Sequence, residues 1–212
     1  MKTVRVLFSK TGRAKYISHL DLNRTMTRVL RRAAIPLWYT EGFNRHPYIT
    51  FAAPLSLGFE GLREVMDFRL EEDMPFDEVT ARLNAAMPEG LTVLECFEAE
   101  MKAGALTAAA YLLDMDCPAD PVRALLAQPE IFVEKKTKKK EIKTVDIRPA
   151  FADAAVQDDE NGCRMTVTLP CGSEGTVNPS LFVSALQKAS GREISCRVVR
   201  TALFGADGKP FR

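Results

Sequence analysis

The segment Lys10-Thr-Gly-Arg13-Ala-Lys15-Tyr16-Ile-Ser-His19 gathers three cations, a tyrosine and an imidazole around one glycine. Where such a segment leads into a helix, free backbone N–H groups add to the side-chain charges, and the combination suits a phosphate. It is no P-loop, because neither GxxxxGKS nor GxxxxGKT occurs. The competing account is a solvated loop. Just downstream, Arg24, Arg28, Arg31 and Arg32 recur on one face of a helical pattern that holds only Asp21 as an acid. Four guanidiniums need another partner. RNA phosphates and the acidic stretch between residues 60 and 100 both qualify.

His19 and His46 are the only imidazoles. A pair of them can cleave RNA without metal by general acid–base catalysis, aided by Tyr16 or Lys15. Equally, each can serve a local structural role. Lys136, Lys138, Lys139 and Lys140 form a second basic run, placed by its flanks at a hairpin tip. Trp38, Tyr39, Phe43 and Tyr48 interleave with Arg45 and His46, as aromatic platforms for single-stranded bases would. The five cysteines include no CxxC pair, so the chain is expected to hold neither metal nor any other cofactor.

These residues must be positioned by regular elements. Val4, Val6 and Phe8 alternate as in a half-buried strand, and Ser18 with Asp21 opens a helix whose apolar face is Leu22, Met26, Val29, Leu30 and Ala33. Residues 64–71 alternate as a second strand, residues 76–87 follow helical spacing behind Pro75, and residues 91–97 close the unit as a strand. Residues 109–204 repeat that order, with Asp120-Pro121 and Asn178-Pro179 as helix starts and Gly191 as a helix stop. The expected fold is α+β: two tandem ferredoxin-like βαββαβ halves with antiparallel sheets, residues 1–102 and 103–212. In that arrangement residues 10–19 and 43–48 are expected to share an edge. Lys10, Arg13, Lys15, Arg45 and His46 would line one basic groove there, reached by the lysine run of the second half.

Of the 212 residues, 46% are hydrophobic and 27% charged, which supports real cores and excludes a chain disordered throughout. The formal charge of +1 hides a segregation: residues 1–50 hold 10 Lys/Arg against 2 Asp/Glu, and residues 51–100 hold 3 against 12. Such fields attract polyanions or an oppositely charged protein. No apolar stretch approaches the roughly 18 residues of a membrane span, and charges at Lys2, Arg5, Lys10 and Arg13 leave no signal-peptide core. A cytoplasmic protein without membrane contact is expected.

The run KYISHLDLNRTMTRVLRRAAIPLWYTEGFNRHPYITFAAPLSLGFEGLREVMDF, with KEIKTVDIRP and TVNPSLFVSAL further on, resembles the bacterial radical SAM-linked proteins. That family is a domain of unknown function found alone or attached to radical SAM enzymes. The resemblance implies a radical SAM partner and carries over no catalytic residue. CxxxCxxC is absent, so this chain is not expected to cleave S-adenosylmethionine itself. Taken together, the residues point to a non-catalytic RNA-binding or substrate-presenting accessory protein, with tRNA or rRNA as the nucleic acid. A protein-interaction module without RNA binding and a metal-independent ribonuclease are the alternatives.

Overall fold

Alternation along the first strand decides how the chain starts to build its core. In the computed structural model, which describes residues 2–136, 142–173 and 175–212, strand β1 (Lys2–Lys10) pairs antiparallel with β3 (Glu60–Leu70) and β4 (Leu91–Glu98). Val4, Val6 and Phe8 face one side, beside Phe68, Met66 and Glu64 of β3. Helices α1 (His19–Arg32) and α2 (Phe76–Ala86) cover that side, and Leu22, Met26, Val29, Leu30, Val79 and Leu83 complete a buried cluster with the strands. Each such side chain contributes about 1.5–3 kcal/mol by leaving water. The short strand β2 (Ile49–Phe51) pairs with β3, setting Phe51 beside Met66.

Local chemistry sets the helix ends. The Ser18 hydroxyl oxygen accepts the Asp21 N–H at 3.1 Å, and Asp21 places a negative charge in the first turn of α1. The helix stops at Arg32, Ala34 takes a left-handed conformation (φ 51°), and Pro36 follows.

The chain is α+β, with four α-helices and mostly antiparallel strands among the described residues. It forms two compact units: Met1–Leu106 together with Arg200–Arg212, and Thr107–Val199. The expected division at residue 102 left residues 200–212 in the second half. They belong to the first because Arg200 pairs with Glu64 there and Phe211 covers Arg5.

Within the second unit, β5 (Leu106–Met115), β9 (Gly162–Pro170) and β8 (Ala155–Asp159) pair antiparallel in the order β5-β9-β8. Helices α3 (Ala119–Leu126) and α4 (Ser180–Ser190) belong to it, and β6 (Phe132–Lys136) with β7 (Ile142–Asp146) makes a separate two-stranded ribbon. Strand β10 (Cys196–Gly205) starts in this unit and ends in the first. The N-cap of α3 is Pro118, two residues before the expected Asp120, whose carboxylate instead lies in the first turn. Asn178 acts as expected at the start of α4, its side-chain oxygen accepting the Ser180 N–H at 2.9 Å.

All five cysteines are free thiols. Three of them, widely separated in sequence, interact in the fold. Cys163, opposite Met115 across β5 and β9, lies against Cys117, and Cys196 senses both. Burial, reinforced by these neighbours, pushes the thiols of Cys163 and Cys196 up to about 12, so both stay protonated and poorly nucleophilic at neutral pH.

Candidate nucleic-acid interface

Residues 10–19 are pinned by backbone contacts. Thr11 donates its N–H to the Gly90 carbonyl at 2.9 Å, and Gly90 (φ 82°) approaches so closely that a Cβ there would lie 2.7 Å from the Thr11 oxygen. A 3₁₀ turn over Gly12–Tyr16 follows. The Lys15 carbonyl accepts both the Gly58 N–H at 2.9 Å and the Lys10 ammonium at 3.2 Å. Lys10 is thus an interior residue, 1% exposed, rather than a groove-lining cation. Burial lowers its pKa, opposed by the charge of Glu64 and assisted by that of Arg200. Lys15 reaches Glu60 at 3.8 Å and lies over the exposed Tyr16 ring. Arg13 is exposed.

The outer face of α1 carries Arg24, Arg28 and Arg31, all exposed. Arg24 pairs with Asp21 at 3.2 Å, and Arg31 lies 5.9 Å from the Tyr39 ring. Arg32 donates to the Ala86 carbonyl at 3.0 Å. Among the described residues no ion pair forms at Arg13, Arg28, Arg31 or Arg45. The acidic stretch does not answer them: half of its twelve carboxylates hold other cations, and the other half form no ion pair among the described residues. Glu60 faces Lys15, Glu64 holds Arg200, Asp67 holds Arg5, Glu78 holds Arg82, and Glu95 and Glu100 hold Arg212.

The loop after α1 folds on itself. Trp38 donates its N–H to Arg69, Thr40 donates its N–H to the His46 carbonyl at 2.9 Å, and the Arg69 guanidinium lies 4.3 Å from the Tyr48 ring. His46 stitches this loop: its Nδ1 lies 2.9 Å from the Asn44 carbonyl and 3.2 Å from the Thr40 hydroxyl. Phe43 and Arg45 stand exposed at the tip.

Register separates the two loops. Ile49 stands beside Phe68, and Phe68 beside Val4, so residues 43–48 lie past the early end of β1, whereas residues 11–19 leave from Lys10 at its other end. Six strand residues at about 3.3 Å each put the two ends about 20 Å apart. The expected single groove is therefore not formed by these loops. The arginine face of α1 runs between them instead. His19, edge-on to Phe51 at 5.1 Å, sits at the start of that helix, and His46 lies beyond its end. The structure does not bring the two imidazoles into one site.

Lys136 closes β6, while Lys138, Lys139 and Lys140 lie outside the described residues. The charges that reading the sequence missed are the buried ones. Arg5 makes two hydrogen bonds to Asp67, at 2.8 and 2.7 Å, and Arg200 makes two to Glu64 while also donating to the Ala53 carbonyl at 2.8 Å. Gly61 admits the Glu64 side chain, which any Cβ there would strike. No composition signal marks them.

Among the described residues no helix is long and apolar enough to cross a membrane, and no group of three or more His, Cys, Asp or Glu could hold a metal ion. No curated protein matches the chain. A family model does, over residues 3–179, from the first strand to the start of α4: the protein belongs to DUF2344, a family described as uncharacterized proteins conserved in bacteria.

Proposed function

We propose that this protein is a non-catalytic RNA-binding or substrate-presenting accessory protein that works with a radical SAM enzyme. The observation that carries the RNA part is the outer face of α1, where Arg28 and Arg31 remain without carboxylates although the following fifty residues are rich in them. An exposed guanidinium without a carboxylate partner is open to a phosphate, which it binds in two-pronged fashion. Arg24 and Arg13 extend the positive surface toward the start of the helix, and Lys136, Lys138, Lys139 and Lys140 are proposed to add contacts from the second unit. We read both units as ferredoxin-like. In the first, β1 lying between β4 and β3, the short β2 pairing with β3, and both helices on one face support it.

Titration of labelled tRNA or rRNA fragments at several salt concentrations tests this. Binding tighter than the nonspecific range of about 10⁻⁴ to 10⁻⁶ M, falling steeply with salt, is expected. Weaker binding, or none that responds to salt, overturns it.

A protein-interaction module is the second reading, favoured by the exposed Tyr16, Leu20 and Leu57 near the start of α1. Copurification with the radical SAM enzyme after nuclease treatment, together with absent RNA binding, would select it. The ribonuclease reading lacks the paired imidazoles that its proton transfers need.

A further inference from the structure

The face of the first sheet turned away from α1 and α2 carries Arg5 and Leu7 on β1, set beside Asp67 and Val65 on β3 and Phe97 and Glu95 on β4. None of these residues belongs to the buried cluster that α1 and α2 cover. Residues 209–212 return across it. Phe211 donates its N–H to the Leu203 carbonyl at 2.9 Å and lays its ring 4.4 Å from the Arg5 guanidinium, and the Arg212 carbonyl accepts the Met101 N–H at 2.7 Å. Between this segment and the sheet lies a cleft of about 230 Å³, with Leu7, Val65, Phe97 and Phe211 in its walls and Arg63, Glu95 and Arg212 among its polar groups.

We propose that this cleft is a binding site for a small organic anion, a flat apolar body bearing one carboxylate or phosphate. Three observations define that chemistry. The walls are mostly apolar, so water inside would find few of the two to four polar partners it needs. Glu95 is matched by Arg212 at 2.9 Å, whereas Arg63 is exposed and has no ion pair among the described residues, leaving one positive charge to be met. At about 30 Å³ per water the volume equals roughly eight waters, which admits one ring with a short acidic arm. Arg212 lies over Phe97 and Arg5 over Phe211, so a flat apolar body would meet the remaining surface of these rings, and a guanidinium fork suits the acid.

The test uses the whole protein with its leucine and valine methyls isotopically labelled, and phenylpropionate as the probe. Saturable shifts are expected at Leu7 and Val65, with Leu22 and Val29 in the helix-side core unmoved. The neutral analogue phenylpropanol is expected to bind on the order of tenfold more weakly, and Arg63→Ala to weaken phenylpropionate by a similar factor, as loss of one charge-assisted hydrogen bond does. Arg63 is exposed, so that variant is expected to keep the fold, read as unshifted Leu22 and Val29 methyls in the helix-side core. Silence at Leu7 and Val65 with millimolar probe, equal binding of acid and alcohol, or unchanged affinity in Arg63→Ala each overturns the proposal. None of these outcomes depends on RNA binding.

Discussion

Arg200 and Arg28 carry the same guanidinium into opposite surroundings. Arg200 is 2% exposed and meets Glu64, Ala53 and Pro54, so nearly every donor has an acceptor inside the protein. Arg28 stands in water with no carboxylate beside it among the described residues. Burial explains the contrast, because a desolvated charge must be paired to be tolerated, while a solvated one is free to wait for a ligand. The inner arginines thus hold the first unit together, and the outer ones leave its surface charged. A count of arginines in the sequence mixes both populations.

Removing Glu64 should break this contrast most sharply. Glu64→Ala leaves Arg200 and Lys10 buried without their shared counter-charge, and about 3–5 kcal/mol of stability should disappear in urea unfolding. Replacing both partners, Glu64→Leu with Arg200→Met, should restore most of it. A midpoint that barely moves in the single variant would place Arg200 in the same class as Arg28.

The helix cap comes next. Ser18→Ala deletes the acceptor for the Asp21 N–H and should cost about 1 kcal/mol, read in the same unfolding assay.

Lys10 offers a pH-dependent version of the contrast. Its folded pKa lies below the ordinary 10.5, so between that lowered value and 10.5 the unfolded chain binds more protons than the folded one. Stability contributed by Lys10 therefore rises with pH in that window. Compared with Lys10→Met, the wild type should gain relative stability as the pH climbs from neutral toward 10.5. A constant difference would mean that Lys10 is not desolvated.

The smallest effect on stability should come from the outer face. Arg28→Glu with Arg31→Glu should change the unfolding free energy by no more than about 0.5 kcal/mol. The same variant should bind RNA more weakly and reduce the salt slope by about one for each phosphate that is no longer neutralised. A large loss of stability instead would show that these arginines are structural.

Much of this was legible in residue order, and the exceptions share a cause. The stripe Leu22, Met26, Val29 and Leu30 is fully buried, and Val4, Val6 and Phe8 occupy the core as their alternation implies. Arg5 and Lys10 were misleading, because a cation in an alternating strand ordinarily marks the wet face. What covers Arg5 is Phe211, from the far end of the chain, and local patterns carry no information about such distant partners. Likewise, Glu64 and Arg200 are separated by 136 positions. The misplaced groove had a local remedy. At about 1.5 Å per residue, the 14 residues of α1 alone separate the loops at its two ends by about 20 Å.

The return of residues 200–212 to the first unit also dictates an order of assembly on the ribosome. The first 106 residues emerge long before their last strand, with Thr107–Val199 made in between. At about 5–20 residues per second, that interval lasts roughly 5–20 s. Throughout it Glu64 lacks the Arg200 guanidinium and Arg5 its aromatic cover, so the nascent first unit must wait, incomplete, for a strand made only after the whole second unit.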